Sequence, residues 1–308
     1  MIKFVAQRFS SSLVVLLVVS LLIFVVLDTV PGDAAETIIG DSASQEQLDE
    51  LRQEMGLDET LLPRYFSYIK DMFMQGDMGD SLITGKPVWA LLANRLPSTL
   101  LLTLTATTLA TTLGIALGVF AATNKGSPLD TLIIGLSTLG MAVPTFWSGL
   151  LLMLLAAPRL NLPLAGGGSI RHLILPSLTL AFPTMAVVAR LSRSSVLDGL
   201  NEPYVQIAEA KGLPYRRILF KHVLRNGLIP LINLLGLQLG HLLGGAFIVE
   251  TIFGWPGLGR LTVQAIFDRD YPIVMGAALT MAAAYLMINF IVDMSHAWLD
   301  PRVAQKSI

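Results

Sequence analysis

The sequence predicts an all-α integral membrane protein of six transmembrane helices, with a small extracytoplasmic helical segment after the first. Three observations carry this. Only 14% of the 308 residues are charged and 53% are hydrophobic, against about a quarter charged in a soluble domain, so most of the chain must sit in lipid. The mean hydropathy is +0.66. Six apolar runs reach the roughly 20 residues that a spanning helix needs. The 26 Gly and 16 Pro suit bundled membrane helices, where small residues let backbones approach and neighbours re-satisfy broken backbone bonds.

The runs fall near 10–30, 97–122, 131–157, 173–192, 227–249 and 273–295. Lys3 and Arg8 before the first, and Gly32-Asp33-Ala34 after it, imitate a secretory signal. The apolar stretch from Ser10 to Val30 exceeds the 7–15 residues of a signal core, which makes it a retained helix. With the N-terminus cytoplasmic, segments 1–9, 123–130, 190–226 and 296–308 lie inside and carry 12 of the 21 Lys and Arg in about 67 positions. The outside segments 31–96, 158–172 and 250–272 carry nine in about 104, with 15 of the 22 acids. Both termini are therefore expected in the cytoplasm. The chain divides into a first helix (1–30), an extracytoplasmic segment (31–96), a transmembrane domain (97–298) and a tail (299–308).

Segment 31–96 holds twelve acids against five bases and reads as small helices resting on the membrane surface. Ser44 with Gln47 forms a capping-box pattern; Leu48, Leu51 and Met55 keep helical spacing, and Gly56 stops the helix. A second helix starts near Thr60, with Leu62, Phe66, Ile69 and Phe73 as an apolar stripe before the turn Gly76-Asp77-Met78-Gly79. The segment fits either an amphipathic cap packed over the bundle or a contact surface for a soluble outer partner. The loop 250–272, with Thr251-Ile252-Phe253-Gly254-Trp255-Pro256-Gly257-Leu258-Gly259, reads as a re-entrant or tightly folded hairpin with Trp255 anchored at the interface.

Several chemistries are excluded. Zero cysteines rule out a thiolate nucleophile, a disulfide framework and an iron–sulfur centre. No G-x-x-x-x-G-K-[ST], H-E-x-x-H or G-x-S-x-G occurs, so no catalytic residue is named and an integral-membrane hydrolase has no nucleophile–base pair. A net charge of −1 offers no field for nucleic acid. His172, His241 and twelve Met give no metal-ligand spacing. Asp28, Glu250, Asp293 and Arg190 lie at helix ends, which leaves a nearly uncharged midplane and argues against a stand-alone secondary transporter. His241, near Gln238 in the fifth run, is the exception: it either hydrogen-bonds a facing helix or lines a substrate path. Gly236, Gly240 and Gly244 on the same helix form a small-residue packing face or a gating seam.

The inner segment Arg190–Asn226 carries seven Lys and Arg against three acids, yet is too apolar for a solvated tail. Pro203 suits a first helical position, Tyr204, Val205, Ala208 and Gly212 follow with helical spacing, and the helix stops at Gly212 or Pro214. A second amphipathic stretch, Arg216 to Arg225, leads into the fifth run. This is either an interfacial helix stapled to headgroups or a knob for a cytoplasmic partner.

Tyr204-Val205-Gln206-Ile207-Ala208-Glu209-Ala210-Lys211-Gly212-Leu213 with His222-Val223-Leu224-Arg225-Asn226-Gly227-Leu228-Ile229-Pro230 resembles the EAA loop of permease subunits of binding-protein-dependent ABC importers, with Pro230 18 positions after Gly212. Glu250-Thr251-Ile252-Phe253-Gly254-Trp255-Pro256-Gly257-Leu258-Gly259-Arg260, Asp268-Arg269-Asp270-Tyr271-Pro272, Arg95-Leu96-Pro97-Ser98-Thr99-Leu100, Pro144-Thr145-Phe146-Trp147 and Leu299-Asp300-Pro301-Arg302 resemble the dipeptide, oligopeptide and nickel branch, glutathione carriers included. The Glu-Ala-Ala triplet that names the loop falls on Gln206, Ile207 and Ala208.

The resemblance implies a type I importer fold with an EAA coupling loop at about 193–226, in a bacterial inner membrane. It implies coupling to the ATPase through Pro203, Tyr204, Gln206, Ala208, Glu209, Ala210, Lys211, Gly212 and Leu213. Gln238 and His241 are path candidates. Phe253, Trp255, Pro256 and Gly257 are candidates for the binding-protein contact or outer gate. The implied partners are a second homologous permease, two ABC ATPase subunits, an extracytoplasmic substrate-binding protein and membrane lipid. No cofactor belongs to this chain, since ATP and Mg would sit on the ATPases. Peptides, glutathione and nickel chelates are the implied cargo classes.

Overall fold

A computed structural model describes residues 2–29, 34–39, 44–54 and 58–299; the regular elements among them are all helices, with one isolated bridge between Asp80 and Pro87. Two compact units form, residues 1–99 with 256–308, and residues 100–255. Met55 and Gly56, expected at the end of a helix, and the tail 300–308 lie outside the described residues.

The first unit contains α1 (Ile2–Thr29), α2 (Ala34–Ile39), α3 (Gln45–Glu54), α4 (Leu61–Gln75), the start of α5 (Val88–Thr123), α11 (Leu258–Phe267) and α12 (Tyr271–Leu299). Helices α1 and α12 pack along each other, and Arg8 pairs with Asp293 at 3.3 Å. The capping box at α3 is reciprocal: Ser44 N–H donates to Gln47 Oε1 at 3.0 Å and Gln47 N–H to Ser44 Oγ at 3.3 Å.

Helix α4 docks on α1 through a face the apolar stripe did not indicate. The Tyr65 hydroxyl lies 2.7 Å from Ser20 Oγ and 3.1 Å from the Leu17 carbonyl. Arg64 pairs with Asp28 at 2.7 Å and sits 5.7 Å over the Phe24 ring. Burial pushes the Tyr68 phenol up to about 12. Leu62, Phe66 and Phe73 point away from α1, with Phe66 64% exposed. The reason is chemical, because α1 offers a carboxylate, a hydroxyl and a ring, which reward the polar-tipped side chains of α4 over its aliphatic ones.

Loop 250–272, expected as a hairpin, instead contains α11, which packs on α12. Gly257 caps it with extended backbone, and Thr99 Oγ1 accepts the Leu258 N–H at 2.8 Å. At the start of α12 the buried Asp270 carboxylate accepts from Ser81 Oγ at 2.5 Å and from Leu82 N–H at 3.2 Å, which ties down the turn before α5.

The second unit contains the rest of α5 with α6 (Pro128–Ala142), α7 (Thr145–Leu160), α8 (Ile170–Leu200), α9 (Pro203–Ala210) and α10 (Leu224–Ile252). Five predicted spans each fall on one helix. The third, 131–157, is not straight: α6 and α7 meet at a bend of 113°. Pro144 has no N–H to continue the ladder and holds Val143 extended (φ −80°, ψ 125°). Leu175 and Leu180 of α8, Ala246 and Val249 of α10, and Phe253 and Trp255 beyond it form the core. At 31 residues, α8 is about 46 Å long, more than the roughly 30 Å of a hydrocarbon core, so it is long enough to project beyond it.

Candidate functional site

Helix α9 is short and closed at both ends. Glu202 is extended and Pro203 takes the first turn, where no amide partner is needed. At the other end Gly212 adopts φ +75°. Its N–H donates to the Glu209 carbonyl at 2.8 Å and the Leu213 N–H to the Ala208 carbonyl at 3.2 Å, the paired bonds of a Schellman cap.

One face of α9 is sealed against its base. Val205 and Ala208 are buried, and Tyr204 and Leu213 half-buried, over Val196, Ile218, Leu219 and Val223. Pro203, Gln206, Glu209, Ala210, Lys211 and Gly212 are exposed. Ala208, one of the nine coupling candidates, thus faces inward and anchors the helix. Ile207 was not singled out, yet it is 56% exposed beside Gln206, and its position out of phase with Val205 and Ala208 is the signal that marks it.

An ion pair missed in the sequence braces this base. Arg193 of α8 holds Asp130 of α6 through Nε at 2.6 Å and Nη2 at 2.7 Å. The same carboxylate accepts the Gly126 N–H at 2.9 Å, and Ser127 Oγ caps the Asp130 N–H at 3.2 Å. Ser127-Pro128-Leu129-Asp130 carries the [ST]-x-x-[DE] pattern that could have flagged the carboxylate; its partner 63 residues away had no local mark.

On α10, Gln238 is half-buried and its Oε1 accepts from Thr184 Oγ1 at 3.2 Å. His241 is exposed and makes no hydrogen bond among the described residues. It belongs to an exposed stripe with Leu237, Gly244 and Ile248. The glycine line does not follow one neighbour: Gly236 is buried, whereas nothing lies within 4 Å of a Cβ placed on Gly244.

The Trp255 turn differs from expectation. Phe253 is 1% and Trp255 5% exposed, so both pack inside the core and Trp255 does not face lipid headgroups. A second Schellman cap causes this: Gly254 has φ +59°, and Trp255 N–H donates to the Glu250 carbonyl at 2.9 Å. The chain thereby turns back, and the Gly166 N–H closes over the Phe253 carbonyl at 2.9 Å. Pro256 is half-buried and Gly257 buried.

A multi-pass helical bundle with a rigid short helix held out between two spans is the architecture of an importer permease, and comparison with known proteins agrees. The model for "Binding-protein-dependent transport system inner membrane component" matches residues 114–305, and that for the N-terminal part of such components matches 1–103. The chain belongs to this family and is a membrane-spanning permease subunit of an ABC importer. It is 38% identical over 307 residues, 99% of its length and 100% of theirs, to the glutathione transport system permease protein GsiC of Escherichia coli K12 and of Salmonella typhimurium. In fold it is similar to a chain of the inward-facing MetNI methionine ABC transporter. That likeness has a TM-score of 0.57 at 18% identity and covers 67% of this chain and 94% of the other. A chain of an amino acid ABC transporter crystallised with histidines gives a TM-score of 0.51 at 17% identity, over 69% and 94%. Nothing in these likenesses supports a stand-alone secondary transporter.

Proposed function

We propose that this chain forms half of the pathway of an ATP-driven importer in a bacterial inner membrane, both termini in the cytoplasm, with a second, related permease as the other half. Two ATPase subunits bind ATP and Mg and drive the cycle, and this chain performs no chemistry. An extracytoplasmic binding protein delivers a peptide, glutathione or a nickel chelate. Glutathione has the first claim among these because the permeases that share 38% of the sequence are named for it.

The observation that supports coupling through α9 is its two-sided burial. A helix sealed on Val205 and Ala208, capped at both ends, and exposing Gln206, Ile207, Glu209 and Lys211 acts as a rigid knob. Seated in a cleft of an ATPase, it would turn ATPase closure into tilt of α8 and α10. Pro203, Tyr204, Ala210, Gly212 and Leu213 shape and hold it. His241 and Gln238 face the pathway in this reading. Phe253, Trp255, Pro256 and Gly257 set the shape of the outer gate from within and do not touch the binding protein directly.

The test is reconstitution with its partner ATPases, permease and binding protein, using Gln206→Cys in this cysteine-free chain. ATP-dependent uptake of labelled glutathione into vesicles, and a crosslink from position 206 to an ATPase subunit, are expected. Uptake that persists without the ATPases sinks the importer reading. A position 206 that never meets an ATPase sinks the coupling role.

A further inference from the structure

A groove of about 530 Å³ runs along the second unit between the last turns of α5 and the chain that enters α10. Its α5 wall extends from Thr112 to Thr123, about 16 Å of helix, which matches the roughly 15 Å half-thickness of a bilayer's hydrocarbon core. The lining is apolar, with Ala116, Val119, Leu219 and Phe220. Both threonines spend their hydroxyls on their own helix, Thr112 on the Thr108 carbonyl at 2.7 Å and Thr123 on that of Phe120 at 3.0 Å. The wall therefore presents methyl groups, which suits a hydrocarbon and offers nothing to a polar solute.

The second wall contributes polarity. Tyr215 and Arg216 are exposed, and Arg216 makes no ion pair among the described residues. Residues 211–226 hold five Lys and Arg and no acid. A single acyl chain is thin enough to lie in a groove of this size.

We infer that this groove binds an anionic phospholipid of the cytoplasmic leaflet, with an acyl chain along Ala116, Val119 and Phe220 and the phosphate on Arg216. The leaflet rests on the orientation proposed above; the site itself does not. A lipid held there touches α5, the base under α9 through Leu219, and the entry to α10, the parts that must move with α9.

Native mass spectrometry of the complex, exchanged into equal phosphatidylglycerol and phosphatidylcholine, tests this. Wild type should retain phosphatidylglycerol, Arg216→Gln should lower that retention about fivefold, and Ala116→Phe should lower retention of both lipids by filling the groove. If Ala116→Phe fails to assemble, the surface variant Arg216→Gln decides alone. Unchanged phosphatidylglycerol in Arg216→Gln overturns the site. So does a photocrosslinker at Phe220 that captures a partner subunit in place of lipid. Sidedness is read separately by thiol labelling at Lys125→Cys, so a wrong leaflet is distinguishable from a wrong site.

Discussion

At the scale of single residues, two positions bear most on mechanism. The Asp130–Arg193 pair is bidentate, with a backbone amide as third partner, so removing Arg193 leaves the buried Asp130 carboxylate with the Gly126 N–H and no opposing charge. Arg193→Leu should lower the yield of assembled complex more than the exchange Asp130→Arg with Arg193→Asp, which keeps an ion pair; equal losses in both, measured by size-exclusion yield, would dismiss the pair as a brace. His241 tests the pathway. In a membrane helix an exposed imidazole meets water or a partner, since lipid gives it no hydrogen bond. His241→Leu should cut uptake of a polar cargo, up to about tenfold for one lost hydrogen bond, without changing complex yield. Low yield with Leu and recovery with Gln would instead make it a structural contact with the second permease.

At the scale of elements, helix ends depend on glycine. Gly212 has φ +75° with open space around its Cβ position, so a substitution there is opposed by backbone conformation and not by crowding. Gly212→Val should cost roughly 1–3 kcal/mol locally, loosen the cap of α9 and lower the ATPase stimulation by loaded binding protein while the chain still inserts. Wild-type stimulation would remove the cap from the coupling path. Helix α4 exposes Leu62, Phe66 and Phe73 while Tyr65 reaches down α1, so its apolar stripe should lie in the headgroup boundary. Trp at position 66 should be quenched by brominated lipid; quenching only by a soluble quencher would assign the stripe to an outer partner. Much of this was legible in the sequence: run length gave the spans, Ser44 with Gln47 gave a cap, and Gly212 gave the end of α9. The rest depends on distance along the chain. The inward turn of Trp255 needs Gly254, Glu250 and Gly166 together, and which face of α4 docks is decided by Asp28, Phe24 and Ser20 of another helix. The break at Pro144 was hidden because the apolar run continues through it.

At the scale of the whole molecule, the bent pair α6–α7 decides the topology. If it crosses the membrane, six spans put both termini on one side; if it returns, five put them on opposite sides. Helices of 15 residues (Pro128–Ala142) and 16 residues (Thr145–Leu160) turned through 113° are about 22 and 24 Å long and together reach about 26 Å, close to the roughly 30 Å hydrocarbon core. Crossing is therefore geometrically open when both arms tilt. The structure then chooses: a returning pair would put Arg193 on the side of the membrane opposite Asp130, which it holds at 2.6 Å, and charge agrees, since it would also place segment 190–226, with seven Lys and Arg, outside, against the positive-inside rule. The two topologies differ at Ser169 and Ser194, both exposed, while Ser67 stays outside and Lys125 inside in each. Single cysteines at the four positions, labelled in intact cells with a membrane-impermeant thiol reagent, should react at 67 and 169 and stay silent at 125 and 194 until the cells are opened. Labelling of 194 from outside with silence at 169 would make the pair a re-entrant loop, contradict the contact of Arg193 with Asp130 at 2.6 Å, and move α9, with its exposed Gln206, Ile207 and Lys211, to the side where no ATPase can reach it.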